Sequence, residues 1–360
     1  MNPEIKKSFR ADRFLVEYPV APADEGLRLD AFVQKFMPTL SREFIKKKIT
    51  KGEVVILGRT PPHRPSTKVH AGETVTSVTY NEAVLEDEEW QGKPHDLSEA
   101  PVVVYEDDAI IACHKPPFMT THPAGRHLFY VATTYFSTLH DRPIHSIHRL
   151  DRETSGLLLL GKTSEASKLV GTFFETDRVK KCYFLIAHKN SSATPFPFSA
   201  RERLGERPGV PRGMHMCHPE ASTEGKEAQT DFELLLEKDN YVLALAFPKT
   251  GRQHQIRLHA AEHGYPLVGD KLYNGDPTIF MRFKDKLATP DDHDKMQIPR
   301  HALHALALKL PYPDEAKLST YRAPLALDLK TWIADHLRLD VERIEHLIDE
   351  RIRRWSSANS

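Results

Sequence analysis

Asp151 stands in a charged, turn-rich run, Ile147-His148-Arg149-Leu150-Asp151-Arg152-Glu153-Thr154-Ser155-Gly156, that passes directly into four leucines at 157–160. Consecutive leucines demand burial, so this carboxylate sits at the edge of a core on a loop held by a strand, a place that suits a catalytic group. A plainer use is open to it as well, capping a turn through the amides of Thr154 or Ser155. A second patch, Thr250-Gly251-Arg252-Gln253-His254-Gln255-Ile256-Arg257-Leu258-His259, carries two arginines and two histidines. As a helix it places Arg252, Gln255 and His259 on one side and His254, Arg257 and Leu258 on another. Arg257 beside a buried carboxylate would keep that carboxylate ionised. A third patch, Lys181-Cys182-Tyr183, joins a cation to an aromatic ring, which is what holding an unstacked base requires. Tyr183 taken alone also fits a core position.

These residues need elements to position them. VVVYEDD-AIIACHKP reads as a hairpin from residue 101, followed by a long loop to about 147. The leucine run reads as a strand and SEASKLVGTFFETD as a helix. KCYFLIAH, TDFELLLE, YVLALAFP and HALHALALKLPYP read as further strands, and the segment after 327 as two amphipathic helices. Many strands with few helices and no regular alternation imply an α+β fold built on a mixed sheet. Residues 190–228, rich in Pro, Gly, Ser and Glu, read as a surface excursion.

At the N-terminus, Leu29, Phe32 and Phe36 share a helical face, Pro38 breaks the chain, and Ser41 is placed to cap a second helix anchored by Phe44 and Ile45. Short strands close this module near residue 80. The expected organisation is therefore a small α/β module at 1–80, an acidic linker at 81–100, a main domain at 101–325 and a helical extension at 326–360.

The chain has 360 residues, 40% hydrophobic and 28% charged, as expected of a soluble globular protein. It holds no apolar run long enough for a membrane span, no secretory leader pattern and three isolated cysteines, which together point to the cytoplasm. Net charge is zero, yet residues 41–70 carry eight Lys/Arg against two acids, and residues 81–100 carry seven acids against Lys93. The second helix is expected to expose Arg42, Lys46, Lys47 and Lys48, a cluster that fits either a solvated face or an RNA-binding face.

The N-terminal stretch resembles an S4-type RNA-binding domain through Arg28-Leu29-Asp30, Ser41-Arg42 with Ile49, Gly52 and Val54, and the closing His70-to-Val75 run. The three chemical patches together resemble the RluA family of pseudouridine synthases. H-R-L-D-x-x-T-S-G-L-L-L stands at His148 to Leu159, K-x-Y at Lys181 to Tyr183, and T-G-R-x-H-Q-I-R-x-H with G-x-P-L-x-G-D-x-x-Y at Thr250 to Tyr273. H-P-x-G-R at His122 to Arg126 and R-H-x-L-H-A at Arg300 to Ala305 fit the same family.

The resemblance implies that uridine in folded RNA, ribosomal or transfer, is isomerised to pseudouridine. Asp151 would be the catalytic aspartate, Arg257 the arginine paired with it (Arg252 second), and Tyr183 the ring against the base. Arg149 would fill the gap left by a flipped base or contact a phosphate, with His148 and Arg252 also facing RNA. Three actions are open to Asp151: attack at C1′, attack at C6, or removal of the C2′ proton. The rearrangement needs no cofactor or metal, and the expected partner is RNA alone, met by a monomer. One rival pattern exists. His259-Ala260-Ala261-Glu262-His263 fits H-x-x-E-H, a zinc-protease arrangement, but the same segment lies inside the longer family match.

Overall fold

The computed structural model describes residues 5–9, 13–37, 40–80, 89–95, 97–123, 127–206, 215–276 and 278–357. Pro38, residues 81–88 of the expected linker, the Ala124-Gly125-Arg126 end of the H-P-x-G-R motif and 207–214 of the expected excursion lie outside them. The chain divides into two units; the first holds the described residues up to 80 with those of 123–129 and 134–142, and the second holds the remainder.

In the first unit, β1 (Lys6–Phe9), β2 (Arg13–Pro19), β3 (Val54–Ile56) and β4 (Thr74–Tyr80) form an antiparallel sheet in the order β1-β2-β4-β3. Helices α1 (Leu29–Phe36) and α2 (Arg42–Thr50) bury Leu29, Phe32, Ile45 and Ile49 in a shared core with Val54, Ile56 and Val75. Ser41 caps α2, its hydroxyl accepting the Phe44 amide at 3.2 Å. Two expectations need correction. Phe44 does not anchor the helix; its side chain stands 50% exposed while Ile45 and Ile49 face inward. Nor is Lys48 part of an exposed cluster. It is buried, with its ammonium on Glu53 at 2.6 Å and on the Val78 carbonyl, because a charge placed on the inward face of α2 must find partners there. Arg42 is exposed but shares the buried Asp30 carboxylate with Arg28. Strands β1 and β2, ahead of the helices, lay outside the sequence expectation.

The second unit is organised on a mixed sheet. Its strands are β7 (Val102–Glu106), β8 (Ile110–Lys115), β9 (His145–Ser146), β10 (Ser155–Gly161), β11 (Lys180–His188), β12 (Phe198–Ala200), β15 (Thr230–Lys238), β16 (Tyr241–Pro248), β17 (Leu303–Leu310) and β18 (Ser319–Arg322). The main path runs β12-β15-β16-β11-β17-β10-β8-β7, with β9 on β10 and β18 on β17. Two small ribbons stand apart, β5 (Glu89–Trp90) with β6 (Lys93–Pro94), and β13 (Arg203–Glu206) with β14 (His215–His218). The expected excursion thus contains strands, and the expected linker contains a ribbon whose Trp90 stacks on Phe283.

The expected loop before residue 147 also contains a helix, α3 (Ala132–His140), whose residues from 134 onward belong to the first unit. Helices α4 (Ser164–Glu175), α5 (Gln255–Glu262), α6 (Ile279–Lys284), α7 (Pro290–Met296), α8 (Leu327–Leu337) and α9 (Val341–Ser357) complete the unit. α8 and α9 cover one sheet face: Trp332, Ile333, Ile344 and Ile348 lie in one core with Phe184, Leu243 and Leu306. No helix among the described residues is long and apolar enough to cross a membrane.

The parallel pairing in the sheet is short, Ser155 and Gly156 of β10 beside His304 and Ala305 of β17. Gly156 has φ +113°, and a Cβ there would run into the Ala305 carbonyl. Only glycine lets the chain leave the Asp151 turn and enter the sheet so closely.

Candidate active site

The turn that carries Asp151 is held from three sides. Thr154 donates its amide to the Asp151 backbone carbonyl at 3.0 Å, so the turn closes through main chain and the carboxylate is left to other partners. The fully buried Lys115 ammonium donates to the carbonyls of Pro116, Met119 and Arg152. Thr121 receives the Leu150 amide on its hydroxyl at 3.1 Å. Behind the turn, the buried Arg300 guanidinium bonds the Glu153 carbonyl, the Ser155 hydroxyl and Asp328 of α8. α8 is therefore tied by one arginine to the residues that follow Asp151.

The other half of the site comes from the segment joining β16 to α5. His254, immediately before α5, adopts left-handed backbone with φ 57°, which turns its ring and the Arg257 side chain toward Asp151. Arg257 Nη1 lies 3.5 Å and His254 Nε2 3.8 Å from Asp151 Oδ2. Arg257 is gripped from behind by the fully buried Asp270, with Nε and Nη2 donating at 2.6 and 2.8 Å. Asp270 also accepts the amides of Leu272 and Tyr273, and the Tyr273 ring lies against the Arg257 guanidinium and bonds His254 Nδ1 through its hydroxyl.

The electrostatics follow from this packing. Burial alone would raise the Asp151 carboxyl, but the positive potential of His254 and Arg257, with His301 and Arg149, holds it below the ordinary carboxylate value. His254 itself is pushed down to about 4 by burial and by Arg257, so at neutral pH it is uncharged and Arg257 carries most of that stabilisation. Asp270 is held down to about 2, burial being outweighed by Arg257 and the hydrogen bonds it accepts. Tyr183 is pushed up by burial and then by the Asp151 charge, and stays a neutral phenol.

Asp151, Tyr183, Arg257, Arg149 and Arg252 all line one cavity of about 330 Å³. Lys181 lines it too, its ammonium 3.4 Å from the Thr250 carbonyl. A carboxylate, a neutral aromatic ring and several cations around one cavity suit a phosphodiester strand delivering one base. Of the helical faces expected for the second patch, two pairs hold: Gln255 and His259 both bond Thr230, while His254 and Arg257 face Asp151. Arg252 precedes the helix and rests its Nε on the Glu227 carbonyl.

His148 is not in the cavity. Its Nε2 accepts the Leu159 amide at 3.0 Å and its ring stacks on Phe174. Burial, with a smaller push from Lys181, drives it down to about 3, so at neutral pH it is an uncharged ring held by β10 and α4. Arg42, Lys46, Lys47 and Lys48 belong to the first unit. In the H-x-x-E-H segment, His259 bonds Thr230 and the Glu202 carbonyl, and His263 bonds Thr194 and Glu202. Each imidazole nitrogen of the pair already has a protein partner. The roles of His254, Asp270 and Tyr273 were missed by sequence reasoning, although all three lie inside the quoted motif spanning 250–273. A Gly-Asp step behind an apolar run was the available signal for Asp270.

Residues 109–262 match the family described as RNA pseudouridylate synthase. The chain is 30% identical over 335 residues to ribosomal large subunit pseudouridine synthase D of Neisseria meningitidis serogroup A, covering 91% of this chain and 82% of that one. It is 28% identical over 339 residues to the protein of the same description from Yersinia pestis, covering 92% and 97%. Among solved structures, human RNA pseudouridylate synthase domain containing 4 superposes with TM-score 0.52 at 23% identity, over 66% of this chain and 94% of that one.

Proposed function

The chain belongs to the RluA family and is an RNA pseudouridine synthase; from that premise we propose that it modifies uridine in large-subunit ribosomal RNA, with Asp151 as the catalytic carboxylate. The target class follows the relatives, which are described as ribosomal large subunit enzymes. Support for the catalyst is one observation: Asp151 lines the cavity as a low-pKa carboxylate, with Arg257 fixed beside it by Asp270 and Tyr183 on the same cavity wall.

The reaction breaks the N1–C1′ bond, turns the uracil and rejoins C1′ to C5. N1 gains a proton and C5 loses one, so atoms and electrons balance without a cofactor. A uridine inside a helix cannot present C1′ or C6, so the target is flipped out, with Tyr183 stacking on its ring and the cavity offsetting the forfeited stacking. Arg149, exposed at the rim, takes the vacated place or a neighbouring phosphate. The first unit acts as an S4-like RNA-binding module, Lys46 and Lys47 on α2 reaching phosphates. Transfer RNA is the second substrate class to test.

The test is tritium release from RNA labelled at C5 of uridine, with ribosomal and transfer RNA as separate pools and Asp151→Asn beside the wild type. Release from ribosomal RNA by the wild type alone is expected. Release by both proteins would exclude Asp151 as the catalyst, and release from transfer RNA alone would redirect the substrate assignment.

A further inference from the structure

A second cavity of about 310 Å³ adjoins the first, with Thr250 in the wall of both. Its far side is built by Arg201, Arg203 and Glu220 of the 190–228 excursion, with Glu227, Ala228 and Gln229 completing the lining, so two carboxylates share it with the two arginines. The partition between the cavities is rigid. The Thr250 hydroxyl donates to Gln255 at 2.7 Å and accepts the Gln229 amide at 3.1 Å, while its carbonyl faces the Lys181 ammonium. Arg252 lines the first cavity and is anchored on the carbonyl of Glu227, which lines the second. A cation therefore stands where a strand would pass from one cavity to the other.

The two arginines of the second cavity differ in how they are held. Arg203 is 20% exposed, fixed by the carbonyls of Glu224 and Gly225 at 3.1 and 3.0 Å, and its Nη1 is paired with the Glu227 carboxylate at 3.3 Å. Arg201 is 55% exposed and meets Glu220 only at 3.8 Å, with that carboxylate 67% exposed. So loose and solvated a pair contributes little, and a phosphate accepting a guanidinium fork outcompetes it.

We propose that this second cavity binds a nucleotide adjoining the target uridine, Arg201 and Arg203 taking its phosphate and Arg252 the phosphate between the two. The proposal rests on reading the first cavity as the uridine pocket. Two adjoining cavities that share Thr250, with Arg252 beside the partition, suit successive nucleotides of one strand. The excursion then acts as a specificity element, because it reads the RNA beside the modified position.

The experiment measures binding of fluorescently labelled oligouridylates of increasing length to the full chain, alongside steady-state kinetics on large-subunit ribosomal RNA. Wild-type affinity should step up about tenfold when the oligomer first reaches the second cavity. Arg201→Glu should abolish that step and raise KM about tenfold, with kcat changed by less than about twofold. Glu220→Gln, which removes the competing carboxylate, should bind the longer oligomers at least as tightly as the wild type. A wild-type length step that survives in Arg201→Glu, or a loss confined to kcat, would overturn the subsite. Activity failing in the wild type on every RNA pool, with an Arg201-dependent step still present, would instead remove the isomerase reading and leave an RNA-binding cleft.

Discussion

Asp151 stays ionised in a partly closed cavity because Arg257 cannot leave it. A guanidinium with one face on Asp270 and another on Tyr273 has little freedom, and its remaining Nη1 points at Asp151. The carboxyl lies below its ordinary value in the folded protein. Its ionised form, the one the proposed catalysis uses, is therefore full at neutral pH and is lost only as pH falls through that lowered value. The kcat/KM profile should accordingly stay level from neutrality down through the ordinary carboxylate range, near 4. Arg257→Met removes the cation, so the acid limb should move upward. The same change strands Asp270 in the interior and should cost on the order of 3–5 kcal/mol in denaturant unfolding. An acid limb that does not move would refute the pairing of Arg257 with Asp151. For Asp270, held at about 2, the stabilisation is complete above the ordinary Asp value and fades as pH drops from there toward 2.

At the scale of elements, the site depends on how β10 leaves its turn and how α5 begins. Gly156 permits β10 to touch β17 directly, in a backbone region that L side chains avoid. Gly156→Ala should lower stability by at least about 3 kcal/mol, the sum of strain and a forced displacement of β17, seen as a fall in Tm together with abolished activity. A variant with unchanged Tm would mean that the close approach is not needed. At α5, His254 stands in left-handed backbone just before the helix, and its ring and the Arg257 side chain three positions on both reach Asp151. In the first unit, the polarity of α2 divides its lysines, so that Lys46 and Lys47 face outward while Lys48 turns in to Glu53.

For the whole molecule, RNA affinity has to come from local charge, since the chain carries 50 Lys and Arg against 50 Asp and Glu. The dependence of log K on log salt should flatten by roughly 2 when Lys46 and Lys47 are both changed to Gln, one unit for each phosphate left without its lysine. Lys48→Gln should leave the slope unchanged and destabilise the N-terminal unit instead. A slope unaffected by Lys46 and Lys47 would assign that module to another ligand. The C-terminal helices show a dependence of a different kind, their apolar faces completing the main core and Asp328 holding Arg300 behind the Asp151 turn.

The linear sequence determined the identity of the chemistry and most of the regular elements. The motif strings around Asp151, Tyr183 and Arg257 are contiguous, and the sheet's apolar runs and the amphipathic helices have periods that local sterics and burial impose. Tertiary structure alone decided which charges meet. Asp151 and Arg257 are 106 positions apart, and no local period reports such a meeting. Whether Lys48 faces solvent, whether His148 serves the strand or the RNA, and which carboxylate holds Arg257 all depend on what packs opposite. For that reason β1 and the β13–β14 ribbon, short and largely polar, are strands only because neighbours pair with them, whereas β2 carries Val16 and Tyr18 at strand spacing into the core of the first unit. The second cavity belongs to the same class, since its walls come from segments that approach each other only once the sheet has formed.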